Sequence, residues 1–409
     1  MSKKGKRESG IISVILLTIA ASYVYMMNCG IRNNFGVMLS SIIENTRLSY
    51  SGVSFVLATG QLCFGITQPV FGIVSDKKGN RFSLLIGISC TLVGVLLLPV
   101  CKTGPALMLV LGILLPGGIG AISYGIIIST ISDRIPARYY STVAGIINAG
   151  CGIGNTLLTP VISRAIRAGG LAYGMFVLAV PVFMMIPVTL VMCGKNRTEK
   201  VRAGEERQND NLSELFRIAF RDRNYIFIVL GFFTCGFHMA IITNHLTTQI
   251  VSYGHSFEDA SNAFAVYGIA TVLGALAVGA LCGRRKMKNV LGTLYGLRAV
   301  SIAAFFLLPK TMPVICGYIF FLGVTGASTV SPVSGICERL FGTRGVTVFF
   351  GVAFLAHQIG GFLSAWLGGV CFERFGNYMV IWMVDAILCL FAAIVSYLIK
   401  ENMAADRNV

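Results

Sequence analysis

Long apolar runs alternate with short polar breaks along almost all of the 409-residue chain. A helix that crosses the hydrocarbon layer of a bilayer needs roughly 20 apolar residues at about 1.5 Å each. Twelve such stretches can be drawn, over 11–38, 51–74, 82–100, 106–131, 141–164, 171–193, 224–252, 260–282, 290–308, 312–336, 346–370 and 379–399, numbered here as spans 1 to 12. Each predicts a helix, because backbone inside lipid has no water to bond and must satisfy its own N–H and C=O groups. The expected fold class is an all-α membrane protein with twelve transmembrane helices. Lys3, Lys4, Lys6 and Arg7 ahead of span 1, with Ala20-Ala21-Ser22 inside it, imitate a signal peptide, but the spans that follow favour an uncleaved first helix.

A polar stretch over 194–223, with Lys195, Arg197, Lys200, Arg202, Glu205, Glu206, Arg207 and Asp210, divides the pattern in two. It predicts a linker between an N-terminal six-helix bundle, 1–193, and a C-terminal one, 224–409. The halves echo each other: Asp133-Arg134, Arg138, Gly145 and Gly154 recur as Glu338-Arg339, Arg344, Gly351 and Gly360, at an offset of about 206. Internal repeats of this kind suit a transporter whose two bundles rock about a site near the midplane.

Composition narrows the class. With 55% hydrophobic and 12% charged residues and a mean hydropathy of +0.77, a soluble enzyme, a disordered regulator and a disulfide-stapled secreted domain are excluded. The net charge of +16 follows from topology and not from a nucleic-acid partner. Of the 33 Lys and Arg, 25 lie in the amino terminus, the even-to-odd loops and the carboxyl tail, two lie within spans, and the opposite loops hold Arg47, Lys102, Arg164, Arg167, Lys310 and Arg374. That bias puts both termini in the cytoplasm of a multi-pass protein of the cell (inner or plasma) membrane, with lipid around it. The 12 cysteines form no C-x-x-C pair and no metal spacing and read as packed thiols, so neither a metal nor a cofactor is expected. No phosphate-cradling G-x-x-x-x-G-K-[ST] and no Ser/His/Asp arrangement is present; the chain reads as no enzyme, driven by an ion gradient and not by ATP.

The loop after span 2 reads Gly72-Ile-Val-Ser-Asp76-Lys77-Lys78-Gly79-Asn80-Arg81. It resembles the signature loop of the major facilitator superfamily, G-x-x-x-D-[RK]-x-G-x-[RK], at every defined position. Cys235-Gly-Phe-His238, Thr243-Asn244-His245-Leu246, Leu294-Tyr295-Gly-Leu-Arg298-Ala299, His357-Gln358-Ile-Gly360 and Glu373 to Tyr378 resemble its monocarboxylate-transporter-like branch, nearest to the bacterial YcxA/YbfB-like members. Arg32-Asn-Asn-Phe-Gly-Val37 and Gly120-Ala-Ile-Ser-Tyr124 agree in the first half. The resemblance implies two pseudo-symmetric six-helix bundles around a central cavity, working as a monomer. It implies transport of a monocarboxylate with a proton, and gating roles for Asp76 and Arg81. Asp133 with Arg138, and Glu338 with Arg344, look like the superfamily's acid–arginine loop elements and read as parts of the same latch. The equivalent second-half loop, Gly279 to Lys286, lacks the acid, so a latch there is lopsided. In one departure, branch members carry an arginine in span 8 that meets the substrate carboxylate, whereas 267–279 here holds no charge.

Ionisable side chains inside the hydrocarbon layer are costly and are functional candidates by default. They are Arg32, His238, His245, Arg298, His357 and Asp385. Arg32 shares a helical face with Asn28 and Tyr25, and its forked guanidinium matches a carboxylate; snorkelling to the surface is the alternative. Arg298 lies about 13 Å deep, at ~1.5 Å per residue, and needs a partner: either an ion pair with Asp385, or substrate in place of the missing span 8 arginine. His238 and His245 stand seven apart on one face and can carry a coupling proton. His357-Gln358 occupies the repeat position of Cys151 on a helix expected to line the cavity, and Tyr124 and Asn148 are neutral donors able to orient an anion. The reading is symport of a small organic anion, with anion exchange and proton-coupled export of drugs or metabolites as alternatives.

Overall fold

The computed structural model describes residues 3–194 and 221–401, without the side chains of 3–11, 137, 138, 141 and 342–348. Most of the predicted linker 194–223, and the side chains of Arg138 and Arg344, therefore lie outside the described residues. Eleven described helices are long and apolar enough to cross a membrane, among them Thr142–Cys193 at 52 residues. That length, about 78 Å at ~1.5 Å per residue, is more than twice a bilayer core of roughly 30 Å. The chain turns back inside it at Gly169 (φ −149°, ψ 21°) and Gly170 (φ 71°, ψ −171°), where a left-handed φ suits glycine. Gly174 accordingly packs against Ile166, a neighbour that a straight helix would hold about 12 Å away at ~1.5 Å per residue. The predicted spans 5 and 6 are thus the two arms of a hairpin, and the crossings number twelve.

The other spans are Lys3–Asn33 continued by Phe35–Thr46 (span 1), Tyr50–Lys78 (span 2), Asn80–Leu97 (span 3), Gly104–Ser132 (span 4), Arg223–Ser252 (span 7), Phe257–Cys282 (span 8), Met287–Leu307 (span 9) and Met379–Leu398 (span 12). Span 10 starts as Met312–Thr325, and after a short 3-10 turn the helix Val330–Phe375 finishes it and continues through the expected loop to form span 11. Span 4, expected to be continuous, has a π turn over Met108–Leu114 and stops at Ala121 before restarting at Tyr124. Pro116 explains the first irregularity, since it offers no N–H to the preceding turn.

The breaks in spans 4 and 10 free carbonyls that lipid cannot satisfy, and side chains from neighbouring spans bond them. Asn28 Nδ2 donates to Ile119 O and Ile122 O, each at 3.1 Å. Arg298 Nη2 donates to Gly326 O at 2.6 Å and to Thr325 O. Ile122 and Ser328, at the two breaks, are 206 apart, which is the repeat offset seen in the sequence.

Glycines carry the same symmetry. A Cβ on Gly154 would overlap Met26 O, and one on Gly30 would overlap Gly154 O, so spans 1 and 5 touch backbone to backbone. A Cβ on Gly236 would overlap His357 O, and one on Gly360 would overlap Phe233 O, which presses spans 7 and 11 together in the same way. Small residues allow this close approach, and packing of this kind drives helix association in lipid. Arg134 donates to Met192 O at the end of span 6, and Arg339 pairs with Glu401 just past span 12, so each half is tied across its own ends.

Gly236→Leu is therefore expected to abolish the span 7–span 11 contact and, at the 1–3 kcal/mol or more typical of overpacking, to lose most of the monodisperse protein in detergent gel filtration. Gly351→Leu, whose Cβ meets nothing within 4 Å, serves as the control and should purify like the wild type.

Candidate central cavity

The two halves meet through spans 1 and 7, 2 and 11, and 5 and 8, and the contacts concentrate toward the face opposite Lys3 and Glu401. At the mouth on that side, Arg167 pairs with Glu258 at 2.7 Å, both about half exposed, a bond of small individual value. Ser51 N donates to Glu373 Oε2 at 2.8 Å. Next inward, His245 Nε2 lies 2.8 Å from Ala365 O, which can only accept, so Nε2 carries the proton and Nδ1 accepts. Tyr50 Oη, 3.1 Å away, donates to that Nδ1, and Tyr378 Oη donates to Tyr50 at 2.6 Å. This chain crosses from span 2 to the second half beside the ring of Phe372, which stacks on Tyr378 and meets Tyr50 at a tilt. Thr156 Oγ1 donates to Ala265 O at 3.1 Å, and Gly152 and Gly268 interlock spans 5 and 8.

Toward the terminal face the same helices part. Gly72 in span 2, Gly145 in span 5, Gly279 in span 8 and Gly351 in span 11 have nothing within 4 Å of where a Cβ would be. All four helices carry tight contacts further along, so the cavity opens to the terminal face and ends near the membrane middle.

Arg32, on span 1, lines a small crevice with Phe35, Leu57, Gln61, Phe64 and Ile119. Its guanidinium stacks 3.9 Å above the centre of the Phe64 ring, and Nη2 donates to Gln61 Oε1 at 3.3 Å. It is close enough to act electrostatically on Tyr25, Cys151, Tyr267 and His357, on spans 1, 5, 8 and 11. His357 stacks on Phe354 at 5.5 Å and against Phe232 at 4.8 Å, and Gln358 fits over Gly65 of span 2. Tyr124 Oη is held by Ala144 O at 3.1 Å and its ring meets Tyr25 edge-on. Asn148 is exposed one turn from Gly152, on the face of span 5 turned toward span 8.

Three expected cavity residues are placed elsewhere. Asn28 is buried and committed to the span 4 backbone. Arg298 is fully buried among spans 7, 9 and 10, where the carbonyls freed by the span 10 break hold it, so it does not take the place of a span 8 arginine at the cavity wall. Nor does it make the expected ion pair, since Asp385 is bonded by His238 Nδ1 at 2.6 Å. His245 has both ring nitrogens engaged in the seal. Asp76, Arg81, Asp133 and Glu338 are exposed at the terminal face. Conversely, Gln61, Phe64 and Tyr267 lie beside Arg32; in the sequence, Gln61 is one of two glutamines in span 2, with Gln68, and nothing marks it as the one that meets Arg32.

A model of the Major Facilitator Superfamily matches residues 21–365 and again 247–408. The chain belongs to that superfamily. Among related sequences, this facilitator is 21% identical over 384 residues to the uncharacterized MFS-type transporter YcxA of Bacillus subtilis (strain 168), covering 89% of this chain and 90% of that one. It is 23% identical over 376 residues to monocarboxylate transporter 12 of Mus musculus, covering 84% and 76%. Among solved structures it superposes on a point mutant of the nucleoside transporter NupG with a TM-score of 0.73 at 16% identity, covering 94% and 99%. The D-xylose-proton symporter gives 0.73 at 14%, covering 96% and 99%. Those two establish the fold, and with the family they establish a multi-pass, non-enzymatic transport protein.

Tyr50→Phe removes the hydroxyl that joins His245 to Tyr378 and with it two hydrogen bonds, which should loosen the seal about five- to hundredfold in population. Labelling of a cysteine placed at Ser51 by an impermeant maleimide, in a cysteine-depleted background, should rise by that factor; unchanged labelling would assign the seal to helix packing alone.

Proposed function

We propose that this facilitator carries a small organic monocarboxylate in symport with a proton, by alternating access across the cell membrane. The observation that carries the reading is Arg32: a guanidinium lining a small crevice, whose contacts are an amide and a ring, with no salt bridge among the described residues. The buried carboxylates among those residues, Asp385 and Glu401, are taken by His238 and Arg339. A cation desolvated without a counter-charge is unfavourable, and a carboxylate entering the cavity corrects the deficit with two parallel hydrogen bonds. Phe64 holds the guanidinium plane and Gln61 fixes its rotation. Gln358 and Asn148 supply neutral donors around the rest of the ligand, Tyr124 keeps its hydroxyl on Ala144 O and offers its ring, and His357 with its flanking rings forms an apolar wall suited to a short carbon chain. The name of the mouse relative supports the monocarboxylate class.

The bias of Lys and Arg puts the termini in the cytoplasm, so the cavity in this conformation faces the cytoplasm. Closing it brings Gly72 and Gly145 toward Gly351 and Gly279, surfaces flat enough for helices to meet. Asp76 with Arg81, Asp133 with Arg138, and Glu338 with Arg344 then latch that side. One chain encloses the whole cavity, so one copy suffices.

In proteoliposomes, labelled lactate, pyruvate and other short monocarboxylates are to be offered with an inward proton gradient. Uptake of at least one should depend on the gradient and fall about 100-fold in Arg32→Ala, within the ~2–5 kcal/mol range for truncating one partner of a buried charged pair, with partial recovery in Arg32→Lys. Uptake that survives Arg32→Ala contradicts the reading. Rapid exchange without net gradient-driven uptake would favour an exchanger.

A further inference from the structure

A second charged cluster lies in the C-terminal half, away from the cavity wall. His238 Nδ1 and Asp385 Oδ2 are 2.6 Å apart with both side chains fully buried. Cys389 Sγ, one turn along span 12, lies 3.8 Å from Asp385 Oδ1. Cys235 of span 7 touches Arg298 of span 9, whose guanidinium lies 5.0 Å from the Tyr295 ring centre and whose charge acts on His238. Tyr318 of span 10 feels the Asp385 carboxylate, and Trp382 meets the His238 ring edge-on at 6.1 Å. Within this buried cluster His238 Nε2, Arg298 Nε and Nη1, and Tyr318 Oη are bonded by no described protein group. Unpaired buried polar atoms in that number mark a function more readily than a support.

We infer that the His238–Asp385 pair is the proton-carrying site, and that Arg298 couples it to the anion at Arg32; this rests on the monocarboxylate reading above. With Asp385 ionised, His238 neutral and Arg298 cationic, the cluster has no net charge. One added proton, shared across the hydrogen bond, makes it +1 in a layer that penalises charge. With Arg32 counted, the empty site is already +1 and opposes a further proton; an anion paired with Arg32 removes that opposition, so proton and carboxylate each favour binding of the other, which is symport expressed as linkage. The connection is short. Arg298 Nη2 holds Gly326 O at 2.6 Å, Tyr267 Oη lies beside Gly326, and Tyr267 and His357 both feel Arg298 and Arg32. His238, Asp385 and Cys389 also lie close enough together to ligate a metal ion; Arg298 already supplies the positive charge there, which leaves a monovalent proton as the better-matched cation.

The test uses full-length protein in proteoliposomes with labelled lactate and pyruvate. For one proton per anion, a one-unit inward pH gradient should raise accumulation by wild type about tenfold. His238→Gln and Asp385→Asn should keep exchange of internal for external label and lose the accumulation. In parallel, wild type is treated with a lipid-soluble carbodiimide, which reacts with protonated buried carboxyls, and adducts are located by mass spectrometry. Labelling at Asp385 should fall severalfold as the medium is made more alkaline and the proton shared with His238 is lost. That readout needs neither a folded variant nor the right substrate. Accumulation by the variants equal to wild type, or Asp385 labelling that is absent or unaffected by pH, overturns the inference. If wild type moves no acid while Asp385 labelling still follows pH, the monocarboxylate reading fails and the proton site stands.

Discussion

A polar group inside the hydrocarbon layer must find its partner within the chain, because water is not there to serve. Each functional feature of this protein is a place where that requirement is met locally or left open. Spans 4 and 10 break in mid-membrane, and the carbonyls they release are bonded by Asn28 and Arg298. Asp385 is met by His238. Arg32, with an amide and an aromatic ring for company, is the charge that the described chain does not neutralise. A transporter needs such a deficit, since a site already satisfied by protein has nothing to gain from substrate.

The same constraint shapes the conformational machinery. Gly30, Gly154, Gly236 and Gly360 weld spans 1 to 5 and 7 to 11. The helices that meet across the halves instead carry glycines with open space around them at the terminal face. Backbone contact within a half makes a rigid body, and polar contact between halves makes a reversible one. The seal at the opposite face is built of individually modest bonds such as Tyr50 to His245, which suits an interface that must part in every cycle.

The twelve crossings, the repeat offset and the family signature were legible in the sequence because hydropathy and spacing depend on chain-local chemistry. The hairpin of spans 5 and 6 was legible too, although Gly169-Gly170 is only two residues of turn between two apolar runs. The candidate site was half legible. Arg32, His357 and Gln358 gather where spans 1, 2 and 11 meet, whereas Asn28, His245 and Arg298 are held by backbone or seal partners. What decides between those outcomes is which way a helix face is rotated and where a neighbour breaks. The break at Gly326 carries no mark that distinguishes it from the many other glycines in the chain. Gln61 and Gln68 look alike in the sequence of span 2, and only the rotation of that helix decides that Gln61 meets Arg32.

The central claim is that Arg32 awaits a carboxylate. The most direct measurement is ligand-induced thermal stabilisation of purified wild type and Arg32→Ala with a panel of short monocarboxylates and the neutral amide of each, since a ligand that binds the folded state raises its melting temperature. The account predicts that at least one acid stabilises wild type, that its amide does not, and that Arg32→Ala loses the shift. Equal stabilisation by the amide, an undiminished shift in Arg32→Ala, or no shift with any acid would contradict it.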